Sequence, residues 1–199
     1  YRPVAYMQSL DWVGQDVWFA HSVHVAQAEI ELYAREGCGV AHCPSSNMRL
    51  ASGIAPLRQF IKAGVKVGLG VDGSASNDGS HMLAEVRLAM LLARLKAGLD
   101  GASLSSTGSE ILTARQALEL GTLGGASVLG RKDIGSLAVG KCADFIGYRL
   151  NKLEYAGASH DPVAALVFCQ STGVDFNYVH GKPVVKEAQL IGLDLPVHI

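Results

Sequence analysis

The chain has 199 residues, 49% of them hydrophobic, and 17 basic against 18 acidic side chains give a formal net charge of −1. That is enough apolar material to bury a core, so a disordered tail is excluded. The absence of any basic cluster removes the electrostatic footprint of a nucleic-acid binder, and a small uncharged or weakly charged ligand suits this surface better.

The first predicted strand, Asp16-Val17-Trp18-Phe19-Ala20, ends in His21. A helix follows over Ala26 to Arg35, where Ile30, Leu32, Tyr33 and Ala34 alternate with Glu29, Glu31 and Arg35. The second strand, Gly39-Val40-Ala41, ends in His42, and a helix over Ala55 to Ala63 stops at Gly64, a residue favoured just past a helix terminus. The third strand, Val65 to Val71, runs out at Asp72 and opens into Gly73-Ser74-Ala75-Ser76-Asn77-Asp78. An amphipathic helix from Met82 to Lys96 places Leu83, Val86, Ala89, Met90 and Ala93 at helical spacing. Asp100 to Ser109 reads as loop, and Thr113-Ala114-Arg115-Gln116 as a capping box opening a helix through Leu120. Strand and helix in alternation argue for parallel pairing.

The second part differs. Short runs at Ala143–Tyr148, Ala165–Phe168 and Tyr178–Val185, punctuated by Gly, Pro and Asn, predict strands and turns. The boundary is set at residues 132 and 133, an α/β part before it and a small β domain after it. The longest apolar runs, such as Val163–Cys169, are too short to span a bilayer, and no charged-then-apolar leader opens the sequence. Cys38, Cys43, Cys142 and Cys169 form no C-x-x-C pair, the pattern of reduced, mostly buried thiols in a cytoplasmic protein.

Three strand ends carry ionisable side chains, and in β/α barrels catalytic residues come from such ends. Asp72 and His21 are therefore the candidate catalytic residues. His42, Ser46, Asn47, Ser74 and Asn77 are candidate substrate-binding residues from the adjoining loops. Each has a plainer reading. Asp before Gly is common in turns, a core histidine can be hydrogen-bonded and inert, and short polar residues are ordinary turn chemistry. Trp12 and Trp18 read as core, His81 as a helix-start residue, His24 as loop, and His160-Asp161 has no assignment.

Four ordered motifs carry a resemblance. They are Val17–His21; Gly39-Val40-Ala41-His42-Cys43-Pro44-Ser45-Ser46-Asn47; Gly68-Leu69-Gly70-Val71-Asp72-Gly73; and Ile134–Asp144. Together they resemble the aminohydrolase branch of the amidohydrolase superfamily. Ser45–Ile54, Asp72–Asp78 and Gly157–Val167 turn the likeness toward the branch's 8-oxoguanine deaminases, with guanine, adenosyl and triazine hydrolases sharing parts of them. The resemblance implies the carboxyl-terminal part of a (β/α)8 metal-dependent hydrolase barrel, about strands six to eight, followed by strands of a small β-sandwich domain. It implies one divalent metal, most often zinc. Asp72 matches the strand-eight aspartate, a metal ligand that accepts a proton from the attacking water. His21 matches the strand-six histidine, which hydrogen-bonds the attacking oxygen or the forming tetrahedral centre. The implied reaction is hydrolytic deamination of a purine-like heterocycle, 8-oxoguanine giving urate and ammonia.

The family's remaining ligands have no counterpart here. There is no H-x-H after a first strand and no strand-five histidine with its glutamate; His21, His24, His42, His81, His160, His180 and His198 are otherwise arranged. Three strands cannot close a barrel, which takes about 250 residues, and the sequence begins Tyr1-Arg2-Pro3 without an initiator Met. The expectation is a piece of a longer enzyme, inactive without its amino-terminal half. Two alternatives stay open: a hydrolase of another leaving group, and a non-catalytic scaffold or subunit domain. Homo-oligomer formation, common among relatives, would have the helix face Leu88–Leu95 as its candidate contact.

Overall fold

Three short strands, Trp18–Ala20 (β1), Gly39–His42 (β2) and Lys66–Leu69 (β3), pair in that order, all parallel. The computed structural model describes residues 2–101, 111–169, 171 and 173–193, so His198 and most of the expected Asp100–Ser109 loop lie outside the described residues. Trp18 faces Gly39, and Gly39 faces Lys66. Two compact units divide the chain, Tyr1–Arg131 and Lys132–Ile199.

In the first unit a short helix, Pro3–Ser9 (α1), precedes β1. Gln27–Glu36 (α2) connects β1 to β2, and Pro44–Arg49 (α3) with Leu57–Ala63 (α4) connects β2 to β3. Both α2 and α4 end where sequence placed a glycine, Gly37 at φ 74° and Gly64 at φ 79°, in the left-handed region that closes helices cheaply. The Glu29 carboxylate accepts from the Ala26 amide at 2.7 Å and from Arg2 Nε at 2.9 Å, tying α1 to the start of α2. Tyr33 stacks on Phe19 with centroids 5.0 Å apart, and Ile30, Val40, Phe60, Val67 and Met90 complete a buried core. Truncating Phe60, fully buried, to Ala would cost about 3–5 kcal/mol.

Met82–Leu99 (α5) carries Leu83, Val86, Ala89, Met90 and Ala93 on its buried face, as the spacing predicts. Ala114–Glu119 (α6) opens with the expected capping box: Thr113 Oγ1 accepts from the Gln116 amide at 3.2 Å, and Gln116 Oε1 accepts from the Thr113 amide at 3.0 Å. The helix then widens into a π segment, Leu120–Gly124, before Gly125–Val128 (α7). This stretch lies directly on β3. A Cβ on Gly124 would come within 2.2 Å of the Val67 carbonyl oxygen, and one on Gly68 within 2.8 Å of Gly125 Cα. Only glycine permits that approach.

The second unit holds Phe145–Gly147 (β4), Phe176–Val179 (β5), Lys182–Lys186 (β6) and Gln189–Leu190 (β7), an antiparallel sheet in the order β4-β5-β6-β7. Phe145 and Tyr178, paired across β4 and β5, stack at 4.6 Å. Asp175, 4% exposed, accepts from the Arg149 amide at 2.7 Å and from Lys152 Nζ at 2.9 Å, and these bonds hold its carboxyl below the usual range.

Two expectations change. The Ala165–Phe168 run is not a strand but most of Pro162–Phe168 (α8). Asp161 Oδ1 accepts from the Val163 and Ala164 amides at 3.1 and 2.9 Å, and Pro162 suits the first helical position. Tyr178–Val185 keeps the expected strand-and-turn pattern, as two strands joined at His180-Gly181. Trp12 and Trp18 are 59% and 48% exposed, not core. Cys38 and Cys43 are buried, whereas Cys142 and Cys169 are only partly so, and all four are free thiols. Among the described residues no helix is long and apolar enough to cross a membrane.

Candidate active site

The parallel ladder continues one step past its strands and so aligns their ends. The His21 amide donates to the Ala41 carbonyl, and the Gly70 amide to the His42 carbonyl, both at 2.9 Å. His21 leaves β1 at φ 61° and Asp72 follows β3 at φ 65°. Both occupy the left-handed region, which His and Asp tolerate better than most residues but still at a cost. The result is that the imidazole and the carboxylate converge: His21 Nε2 lies 3.5 Å from Asp72 Oδ2, with side chains 38% and 32% exposed.

Helix α3 starts directly after β2, with Pro44 at its first turn, and this lifts Ser46 and Asn47 toward the same point. Asn47 Oδ1 lies 2.9 Å from His21 Nδ1. With that nitrogen donating, Nε2 is the unprotonated atom facing Asp72 in the neutral ring. Ser46 Oγ donates to Asp72 Oδ2 at 2.5 Å, and Ser76 Oγ lies 3.1 Å from the same oxygen and 3.0 Å from Ser46 Oγ. The Ser46 hydroxyl first, then the Gly73 amide and the Ser76 hydroxyl, with His21 nearby, hold the Asp72 carboxyl below the usual carboxylate range. Asp72 is thus a preoriented anion open to solvent on one side.

His42 sits beneath this pair, 2% exposed, and burial, reinforced by His21, pulls its imidazole down to about 4. It is neutral at pH 7. Its Nδ1 and the Nδ2 of Asn47 are buried without a hydrogen-bond partner among the described residues. Asn77 is also buried, donating from Nδ2 to the Val71 carbonyl at 2.8 Å and to Glu85 Oε1 at 2.9 Å. The structure therefore gathers His21, His42, Ser46, Asn47, Asp72 and Asn77. Ser74 stands apart, exposed and without a side-chain hydrogen bond among the described residues. His81 caps α5, its Nδ1 accepting from the Ala84 amide at 3.2 Å.

Sequence reasoning missed Ser45, Ser76 and above all Glu85. Glu85 is 1% exposed and accepts from the Ser45 amide, the Ser45 hydroxyl and the Asn77 amide group. A signal was present. Glu85 falls on the same stripe as Val86, Ala89 and Ala93, and a carboxylate on a buried helix face must find donors.

The model of the amidohydrolase family matches residues 2–184. An 8-oxoguanine deaminase of Pseudomonas aeruginosa is 45% identical over 194 residues, 98% of this chain and 41% of that protein. An isoxanthopterin deaminase from an unknown prokaryotic organism is 41% identical, over 97% of this chain and 41% of its own length. The zinc complex of an atrazine chlorohydrolase from Arthrobacter aurescens superposes with a TM-score of 0.89 at 33% identity, covering 98% of this chain and 42% of that one. A zinc-bound adenosine deaminase from Xanthomonas campestris gives 0.88 at 36%, covering 98% and 43%. The chain thus spans about two fifths of the length of the relatives it matches.

Proposed function

We propose that this chain, which belongs to the amidohydrolase family, serves the hydrolytic deamination of a purine-like heterocycle, with 8-oxoguanine as substrate and urate and ammonia as products. The observation that carries the reading is the 45% identity to an 8-oxoguanine deaminase across 98% of the chain. The arrangement of His21 and Asp72 supports it chemically.

One divalent metal, zinc by the likeness to two zinc-bound structures, belongs to this reading. The donor chemistry fits one corner of such a site. Asp72 offers a solvent-open carboxylate beside an imidazole, while among the described residues no group of three His, Cys, Asp or Glu side chains could hold an ion. Asp72 would be one ligand, and others must come from elsewhere. When bound, the metal supplies Lewis acidity that lowers the pKa of the attacking water toward ~7. The residues do the rest. Asp72, kept anionic and aimed by Ser46 and Ser76, accepts a proton as the water oxygen attacks the carbon bearing the exocyclic amine. His21 Nε2 hydrogen-bonds that oxygen while Asn47 fixes the ring. The new C–O bond stays, the C–N bond breaks, and the proton leaves with ammonia.

The test is ammonia release from 8-oxoguanine by the zinc-loaded enzyme that contains this chain, with urate as the second product. The 199 residues alone are expected to release none, for want of ligands. A second reading keeps the site and changes the leaving group. It is favoured by the TM-score of 0.89 to an atrazine chlorohydrolase and by 40% identity to a hydroxydechloroatrazine ethylaminohydrolase of a Pseudomonas species. Chloride or ethylamine release from triazines, with no ammonia from 8-oxoguanine, would decide for it.

A further inference from the structure

The hydrogen bonds around Asp72 have a second tier that the reaction does not use. Ser46 and Ser76 reach the Asp72 carboxylate, and their chain neighbours, Ser45 and Asn77, both turn to Glu85. The Ser45 amide donates to Glu85 Oε2 at 3.0 Å, Ser45 Oγ to Oε1 at 2.5 Å, and Asn77 Nδ2 to Oε1 at 2.9 Å. The same Nδ2 donates to the carbonyl of Val71, the residue before Asp72, at 2.8 Å. A single buried carboxyl group on α5 therefore joins the first turn of α3 to both flanks of Asp72.

We propose that Glu85 is a positioning residue for Asp72. By fixing Ser45 and Asn77, it sets where the Ser46 and Ser76 hydroxyls stand. It thereby holds the Asp72 carboxylate beside His21 despite the left-handed backbone at that residue. Every contact Glu85 makes here is one in which it accepts. A carboxylate is acceptor-only, whereas a glutamine of the same shape would turn an NH2 group against at least one donor. Groups that orient a metal-binding side chain typically matter about 10–100-fold in activity or metal affinity.

The effect on catalysis rests on the function proposed above; the positioning itself does not, and the experiment separates them. Amide exchange is measured in the zinc-loaded enzyme, together with kcat and KM for 8-oxoguanine, for the wild type, Glu85→Gln and Val86→Ala. Val86 is 2% exposed on the same helix and serves as the purely structural control. Glu85→Gln is expected to speed exchange of the Asn77 amide, bonded to the Gly73 carbonyl at 3.0 Å, and to lower kcat about 10–100-fold with KM little changed. Val86→Ala should lower the melting midpoint and leave both readouts alone. Ser45→Ala, which removes one bond only, should repeat the Gln pattern at smaller size and covers the case in which the Gln variant fails to fold. If the Gln variant, or Ser45→Ala in its place, behaves like Val86→Ala, the positioning role is overturned. If the wild type releases no ammonia yet exchange at Asn77 still rises, the positioning role stands and the substrate reading falls.

Discussion

Two sets of left-handed residues, one in each unit of this molecule, do different work. In the first unit His21, one residue past β1, and Asp72, three residues past β3, stand at φ 61° and 65°, and their side chains converge. In the second unit His180 and Gly181, at φ 50° and 74°, and Glu187 and Ala188, at 52° and 62°, form two-residue loops between antiparallel strands. These loops follow the type I′ pattern, whose twist matches the strands. There the backbone conformation is the purpose and the side chains are exposed. At His21 and Asp72 the backbone bears strain so that a side chain can be aimed.

Glycine tests that contrast most severely. If Asp72 were only a turn residue, Asp72→Gly would be harmless, since glycine suits φ 65° better than aspartate. The site reading expects a folded protein whose kcat/KM for 8-oxoguanine falls about 10²–10⁴-fold, the range of a lost general base. Activity retained in the glycine variant would erase the distinction between the two regions.

The next effect concerns the histidine behind the strand ends. Burial, with His21 beside it, lowers His42 to about 4 in the folded protein, against 6.5 when unfolded. Between those values the unfolded chain binds more protons. The stability contributed by a neutral His42 is therefore complete above pH 6.5 and is lost as pH falls toward 4. The total is about 3 kcal/mol, at 1.36 kcal/mol per pH unit of difference. Urea midpoints at steps from pH 7.5 to 4.5 should fall more steeply for the wild type than for His42→Gln, which also subtracts the carboxylates. Parallel slopes would mean that His42 is solvated.

Legibility in the sequence followed the range of the interaction. The strand ends at His21 and His42, the Gly64-closed helix and the Thr113 box were readable because each is written in neighbouring residues, whereas the third strand stops at Leu69, three residues short of Asp72. Ala165–Phe168 was misread because its apolar run is too short for periodicity to tell strand from helix, and the deciding signal lay upstream in Asp161-Pro162. Tyr178–Val185 was legible as strand and turn because Gly181 and Pro183 stand within the run itself. Trp12 and Trp18 were assigned to the core by residue type, and exposure depends on what packs over them. Glu85 was missed because its partners are Ser45, 40 residues away, and Asn77. The same cap supplies a further test. Asp161→Ala should cost α8 about 1 kcal/mol, read as a lower urea midpoint with kcat unchanged, and an unmoved midpoint would make the cap irrelevant to the second unit.

The smallest expected effect makes the sharpest contrast with Asp72→Gly. Ala188 holds φ 62° between Lys186 and Gln189, where its Cβ crowds the neighbouring carbonyl and where alanine gains nothing in return. Its amide donates to the Asp175 carbonyl at 3.0 Å, a bond that glycine keeps. Ala188→Gly removes a strain of about 1–2 kcal/mol and pays about 0.5–1 kcal/mol in unfolded-chain entropy. The net is a gain of about 0–1.5 kcal/mol, centred at ~0.8 kcal/mol. The urea midpoint should therefore rise while kcat and KM stay as they were. A loss of activity at Ala188→Gly would show that the second unit's turns also serve the reaction, and the division of labour between the two regions would fail there.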